Sequence, residues 1–394
     1  MAKKTTTTKN GKLSIAELKD LINKKAGNEV AFNLIDDNPT DVSDWIPTGS
    51  RWLDSIICKG KMAGIPVGKI TEIAGLSASG KSYMAAQIAA NAQKQGIDVI
   101  YFDSESALDS DFLAKAGCNV ENILYVQAQS VEFVLETIEE LLGANNNKML
   151  FIWDSLALTP ANADLEGDFN PQSTMAQKPR ILSKGMSKLV QPIANKQSTL
   201  VVLNQLKTNI TSTPAEALVE PYFTPGGKAL PYAYSLRVWL TGRKSKASYV
   251  TDDNGYRLGS EVKVKLKKSR FGTEGRECTF KILWGGEDVA IQDEESWFEA
   301  VKISPHLEQT GAWFSLVYAD GTKEKFQSAN WIEKLENEKF RKRVLELMDK
   351  ELIHNFESKE GHASKYYNID GDEDPMVEEA ESAKYIKYFS IKSV

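Results

Sequence analysis

Cysteine is scarce in this chain: Cys58, Cys118 and Cys278 are the only three thiols among 394 residues. Their spacing fits no metal-binding pattern, so neither a disulfide scaffold nor a structural zinc module is expected, and a reducing, intracellular compartment is the simplest setting. Long apolar runs are also missing. None approaches the ~18–20 residues that span a bilayer. The N-terminal residues are charged and Thr-rich, without the apolar stretch of a secretory signal. No membrane partner and a cytoplasmic location are therefore expected. There is no internal repeat. Positive charge is not in excess either, since the net charge of −6 speaks against a wholly basic nucleic-acid binder.

What is present is ordinary globular material, 42% hydrophobic and 26% charged, ample for a large core without staples. The length suggests two or three domains. Charge is unevenly spread. Residues 1–12 are basic and polar, Lys263 to Arg276 is dense in cations, and Asp370 to Glu381 is acidic throughout. A chain polarised in this way can bind DNA locally while an acidic tail restrains that binding.

Ser14 and Glu17 form a capping-box pattern ahead of Ile15, Leu18, Leu21 and Ile22 at helical spacing, which predicts a short helix whose core lies elsewhere. Val30, Phe32 and Leu34 alternate as a short strand would. From about Trp45 apolar strands alternate with helices. Strands are expected at Lys69 to Ala74, Asp98 to Phe102, Ile123 to Val126, Met149 to Trp153 and Thr199 to Leu203. Such alternation predicts a mainly parallel sheet covered on both faces. Leu236 to Leu240 and Val262 to Leu266 read as strands in hairpin order, and past Trp284 the texture becomes that of a small mixed domain.

The segment Gly75-Leu76-Ser77-Ala78-Ser79-Gly80-Lys81-Ser82 carries the GxxxxGKS signature between a predicted strand and a predicted helix. Glycines let the backbone wrap so that N–H groups point at phosphate oxygens, and the helix N-terminus adds a favourable dipole. Lys81 reaches β- and γ-phosphates, and Ser82 can ligate Mg²⁺. By chance a chain this long matches the signature about once in a hundred. Met149 to Asp154 is an apolar strand ending in a carboxylate, which beside such a loop can hold the metal through water. ATP and Mg²⁺ are the implied ligands.

Around these motifs the chain resembles the RecA-like recombinases, a family that includes the bacteriophage UvsX proteins. The resemblance rests on Ile46 to Asp54, Gly64 to Ile70, Tyr101 to Asp109, Asp154 to Pro160, Val201 to Gln205, Gly226 to Leu230 and Gly311 to Ser315, all in family order. It implies a RecA-type P-loop core over 45–284. An N-terminal helix-strand arm over 1–44 would dock on the next protomer. A small α+β C-terminal domain would cover 285–357, with an acidic and aromatic tail over 358–394.

By the same resemblance Glu105 is the general base, although from the residues alone it reads as a surface Glu after a strand. Tyr83 joins the nucleotide contacts, and Asp109 and Phe112 meet the adenine. Gln205 senses the γ-phosphate. Lys268 and Arg270 reach a neighbour's phosphates across a subunit interface, while Lys263, Lys265 and Lys267 occupy the opposite face of the strand. The stretches Glu166 to Gln177 and Lys207 to Pro225, too long for ordinary connectors, would bind single-stranded DNA through backbone groups and cations. Lys178, Arg180, Lys184, Lys188, Lys207 and Lys228, with Gly226 and Gly227, are the nearest residues, and each cation reads equally as a solvated charge.

The implied activity is a DNA-dependent ATPase that forms a helical filament on single-stranded DNA and exchanges strands with duplex DNA. Mediator and single-strand-binding proteins are implied partners, in a bacterial or phage-infected cytoplasm. A hexameric RecA-fold motor and an ATP-switched adaptor remain alternatives. The short arm and the Gly311 to Ser315 match speak against the first, and retention of Glu105 against the second.

Overall fold

In the computed structural model the described residues are 13–34, 38–166, 176–209, 221–242, 248–285 and 290–353. The basic segment 1–12, the Asp370 to Glu381 segment and the aromatic tail lie outside them, as do most of the two long loops.

Helix α1 (Ile15–Ala26) precedes an antiparallel pair, β1 (Trp45–Ile46) with β2 (Ile65–Pro66), that brackets helix α2 (Arg51–Ile57). Strands β3 (Ile70–Gly75), β4 (Asp98–Asp103), β5 (Ile123–Gln127), β6 (Met149–Asp154) and β7 (Thr199–Gln205) follow. They alternate with helices α3 (Lys81–Lys94), α4 (Ser110–Lys115), α5 (Val131–Ala144), α6 (Asn162–Glu166) and α7 (Gln177–Asn195). Next come the two-residue strands β8 (Lys207–Thr208) and β9 (Tyr222–Phe223), then β10 (Leu236–Thr241), β11 (Tyr249–Thr251), β12 (Arg257–Ser269), β13 (Glu277–Leu283) and β14 (Ala290–Gln292).

Six strands run parallel in the order β10-β3-β7-β6-β4-β5, β12, β13 and β14 extend the β10 side in antiparallel fashion, and β11 pairs antiparallel with β12 to complete a ten-stranded sheet. Both faces are apolar, as a parallel sheet covered by helices requires. Leu150, Ile152, Val201 and Leu203 point into the core shared with α3, while Phe151, Trp153, Leu200 and Val202 point into the core shared with α5 and α7. The alternation seen in the sequence is thus realised. Leu236 to Leu240 does pair with β12 in hairpin fashion, but its other edge joins β3 in parallel.

A buried polar cluster crosses three of these strands. Glu72 on β3 is fully buried and accepts from Arg237 Nε of β10 at 2.6 Å and from Asn204 Nδ2 of β7 at 3.0 Å. Arg237 also donates to Thr224 Oγ1 at 3.0 Å, and Asn204 to the Pro225 carbonyl at 3.1 Å. The exit of the second long loop is thereby tied to the strand that leads into the glycine loop.

Residues 290–353 build a separate apolar cluster. The helix Asp293–Val301, the antiparallel strands β15 (Leu307–Thr310), β16 (Trp313–Val317) and β17 (Lys323–Gln327), and the helix Glu338–Leu352 enclose Phe298, Phe314, Phe326, Trp331 and Phe340. Edge-to-face ring contacts hold it together, for example Phe298 with Phe314 at 4.9 Å. Trp52 of α2 packs on this cluster, and Arg51 pairs with Asp349 at 2.7 Å. Asp54 of α2 is buried at this seam and accepts from Thr48 Oγ1 at 2.7 Å. Burial pushes its carboxyl up to about 8, and the nearby charge of Asp293 acts in the same direction.

At the N-terminus α1 forms with its capping box intact and buries no residue. Ile15, Leu18, Leu21 and Ile22 are all exposed. The strand expected over Val30 to Leu34 does not form. A strand requires a neighbouring backbone to complete its hydrogen bonds, and here Val30 N and Ala31 N donate instead to Asn23 Oδ1 at 2.9 and 2.8 Å.

Two stability predictions follow from the buried charges. Arg237→Met leaves Glu72 buried without its counter-ion and should cost about 3–5 kcal/mol in denaturant unfolding; a loss under ~1 kcal/mol would show that the pair is not needed. At Asp54 the folded chain keeps a proton that an ordinary Asp releases near 3.8. Stability should therefore fall as pH rises from about 4 to about 8, and Asp54→Asn should flatten that fall in unfolding curves measured across the range.

Candidate functional site

Parallel strands deliver their C-terminal ends to one edge of the sheet, where ligands bind in open α/β folds. Here Gly75 of β3 is in register with Gln205 of β7, and Asp103 of β4 with Asp154 of β6. The side chains that the sequence assigned to nucleotide chemistry follow directly on these positions.

The glycine loop is tightly wound. A Cβ added at Gly75 would sit 2.2 Å from Ser79 Oγ and 3.1 Å from the Leu240 carbonyl, and Gly80 has φ +86°, a left-handed conformation that favours glycine. Helix α3 begins at Lys81 with no side-chain cap, leaving its first N–H groups and its dipole directed at the loop. Ser79 Oγ is buried and has no hydrogen-bond partner. A cradle of unpaired donors at a helix N-terminus fits a polyphosphate. Lys81 Nζ lies 3.1 Å from the Leu76 carbonyl, and burial pulls its pKa down against the opposing pull of Asp154 and Glu105.

Ser82 Oγ donates to Asp154 Oδ2 at 2.9 Å, and the buried Tyr101 hydroxyl donates to the same oxygen at 2.9 Å. Burial raises the Asp154 pKa while these two bonds oppose the shift. A hydroxyl beside a carboxylate suits Mg²⁺, which keeps several waters and takes one or two protein oxygens plus substrate phosphates. Among the described residues no group of three or more His, Cys, Asp or Glu forms an all-protein cage.

Glu105 stands on the turn after β4 and accepts from Ser155 Oγ at 3.0 Å. Ser104 stitches the same turn to β6, donating to the Ser155 carbonyl at 3.0 Å and accepting from Ser155 N at 2.9 Å. Lys81, Ser82, Glu105 and Asp154 are therefore brought together, with Gln205 half-buried beside the loop. Asp109 caps α4, accepting from Asp111 N at 3.1 Å. Phe112 meets the Tyr83 ring edge-on at 4.6 Å, next to the start of α3.

Lys268 and Arg270 are not part of this group. Lys268 Nζ donates to the carbonyls of Pro231 and Tyr234, and Arg270 to that of Tyr232 at 2.8 Å. Lys268 is level with Arg237 and hence with Glu72, and the Arg270 backbone connects through Ser235 to Ile70. That is the opposite end of β3, roughly 10–17 Å from Gly75 at the rise of a strand. Both side chains reach the Pro231 to Tyr234 segment, and Arg270 lies one residue beyond β12. A bulge at Lys267 puts Lys268 opposite Arg237, on the side of the strand that Lys263 and Lys265 occupy, so the opposite face expected for those two lysines is not observed. Lys263 and Lys265 pair with Glu277, and Lys267 sits over the Trp239 ring.

The ends of the two long loops are neighbours. Lys207 begins β8, whose pairing with β9 forms the stem of the second loop; residues 210–220 between them, like 167–175 of the first loop, are outside the described set. Lys178 donates to the Ala157 carbonyl at 3.0 Å; burial lowers its pKa and the charge of Lys207 lowers it further. Gly226 and Gly227 have φ +109° and +93°, and Gly227 rests against Pro179 at the start of α7. Arg180, Lys184, Gly227 and Lys228 line one open groove of 440 Å³. Lys188 is paired with Glu139 at 2.6 Å.

Several residues that organise the site carried no separate assignment from the sequence. They are Asp103, Tyr101 and Ser155 around the carboxylates, and Glu72, Asn204 and Arg237 beneath the loop. Asp103 had a legible signal, a strand-end Asp before a Ser-rich turn. The others depend on partners distant in the chain.

Comparison with known proteins agrees with this geometry. Residues 13–289 match the RecA N-terminal domain family. Protein RecA of Fusobacterium nucleatum is 31% identical over 310 residues, 78% of this chain and 77% of its own length. Protein RecA of Ruminococcus albus is 32% identical over 295 residues, 75% of this chain and 69% of that one. Protein RecA of Mesoplasma florum is 31% identical over 296 residues, 75% and 83% respectively. The chain belongs to the RecA family.

Proposed function

We propose that this protein is a DNA-dependent ATPase that assembles as a helical filament on single-stranded DNA and carries out homologous pairing and strand exchange with duplex DNA in recombination and repair. The observation that carries the reading is the division of the site within one chain. The phosphate loop and its two carboxylates lie at one edge of the sheet, and Lys268 and Arg270 lie at the other. A head-to-tail assembly brings one protomer's cations to the next protomer's phosphates, and repetition of such a contact gives a helix.

In that assembly the P-loop N–H groups and Lys81 hold the phosphates. Ser82 and, through water, Asp154 would hold Mg²⁺, which would supply charge neutralisation for the phosphates. The Glu105 carboxylate, oriented by Ser155, aligns a water with the γ-phosphorus and accepts its proton. Lys268 and Arg270 of the neighbour stabilise the charge that develops on the transferring group. Gln205 senses the γ-phosphate, a reading supported by its position at the end of β7, one residue before β8 begins the second loop. Asp109 and Phe112, with Tyr83, receive the adenine.

The arm, residues 1–44, supplies the outward contact. Its helix presents four exposed apolar residues, and the edge strand β5 exposes Leu124 and Tyr125 with no further strand alongside among the described residues. The DNA path runs over Lys178, Arg180, Lys207, Gly226, Gly227 and Lys228, contacts that grip phosphates without reading sequence. Residues 45–284 act as the ATPase core and 285–357 as a small C-terminal domain. Mediator and single-strand-binding proteins are the further partners, in the cytoplasm of a bacterium or of a phage-infected one. No helix among the described residues is long and apolar enough to cross a membrane.

Electron microscopy with ATP, Mg²⁺ and single-stranded DNA tests the assembly: open helical filaments are expected, and closed rings or dispersed monomers would overturn the reading. Glu105→Gln should bind ATP and DNA yet hydrolyse at least ~100-fold more slowly, leaving persistent filaments. Normal turnover by that variant in a phosphate-release assay would remove Glu105 from the base role.

A further inference from the structure

We propose that Asp103 is a positioning residue for ATP hydrolysis: its carboxylate fixes the turn that carries Glu105, and so sets where the base stands. The proposal rests on Glu105 being that base, as argued above. Asp103 ends β4 and is nearly fully buried, at 4% exposure. One carboxylate oxygen accepts from Glu105 N at 2.8 Å and Ser106 N at 3.0 Å. The other accepts from Ala107 N at 3.1 Å and Leu108 N at 3.2 Å. The Tyr125 hydroxyl adds a longer contact of 3.4 Å from the edge strand.

Four consecutive backbone donors therefore converge on one side chain. Its own backbone is held separately, because the Asp103 carbonyl accepts from Ala128 N at 2.9 Å. The turn is otherwise a poor one to hold, since Ser106 has φ +52°, a left-handed conformation that costs a residue with a side chain. Only an ionised carboxylate offers acceptors on both sides at once. An asparagine would turn two N–H donors toward two of the four backbone donors and release half of the turn. Charge-assisted bonds of this kind are about twice as strong as neutral ones.

The consequence for catalysis is geometric. Glu105 is exposed and is held by two things, its own N–H on Asp103 and its carboxylate on Ser155 Oγ. Loosening the first lets the base swing while the phosphate loop, Ser82 and Asp154 stay in place. At the far end of the same turn Asp109 starts α4, where its carboxylate is held by Asp111 N and not by Asp103, so adenine recognition has its own support. Asp103 touches neither nucleotide nor water in this scheme. It acts through the turn.

The test uses the full chain with single-stranded DNA, comparing wild type, Asp103→Asn, Glu105→Gln and the double variant. In Asp103→Asn, kcat should fall ~10- to 100-fold, as expected when a catalytic group is displaced by about 1 Å, while KM for ATP moves by less than ~3-fold. In the Glu105→Gln background the same substitution should change the residual rate little, because the group it positions is already lost. Asp103→Glu keeps the charge, shifts it by one methylene, and should reproduce the loss of kcat with thermal stability near wild type. Wild-type turnover in Asp103→Asn, or an equal loss in both backgrounds, would overturn the proposal. Failure of both Asp103 variants to fold would also overturn it, since Asp103 would then hold the fold and not the base. A Glu105→Gln protein with full activity would instead strike at the functional reading on which the proposal rests.

Discussion

Parallel register at one edge of the central sheet is the constraint on which the rest depends. Gly75 and Gln205 end neighbouring strands at the same level, as do Asp103 and Asp154 one pair further along. Because these strands run in one direction, four chain segments separated by tens of residues all turn at the same edge. Each turn then carries a different feature. The first is the glycine loop, the second carries Glu105, the third follows Asp154, and the fourth leads toward the second loop. An antiparallel sheet would have sent half of them to the opposite edge.

Beneath that edge, polar side chains replace apolar packing where position matters more than burial. Glu72, Asn204 and Arg237 form a buried cluster that reaches Thr224 and Pro225 at the exit of the second loop. Asn204 also accepts from the backbone N–H of Gln205, so the cluster touches both the residue beside the glycine loop and the end of the second long loop. Buried ionic groups of this kind add less stability than well-packed hydrophobic residues would. Their value here lies in orientation, since a hydrogen-bonded pair fixes distance and direction where a hydrophobic contact tolerates sliding.

The sequence made the core strands legible because a buried parallel strand is a short apolar run with turn residues on either side, and β3, β4, β6 and β7 all have that form. It also made α1 legible through its capping box, a purely local device. The strand expected at Val30 to Leu34 was misjudged for an equally physical reason. Alternation shows that a segment could lie on a half-buried surface, but no strand among the described residues pairs with it, and the donors turn to Asn23. The opposite faces assigned to Lys268 and to Lys263 and Lys265 failed for a similar reason. A bulge at Lys267 shifts the alternation, and nothing in the local residue pattern announces it.

By itself, then, the sequence determined the phosphate loop, the strand-end carboxylates and the family, because those rest on residue types at short fixed spacings. Only the tertiary structure decided that Lys268 and Arg270 stand at the far end of the strand from Gly75, and that Asp103 gathers four backbone donors under Glu105. Both outcomes depend on strand order and register, which are set by pairing between distant segments and are invisible to any local pattern. The glycine loop can be read from eight consecutive residues, but its distance from Lys268 and Arg270 is set by strand pairing alone.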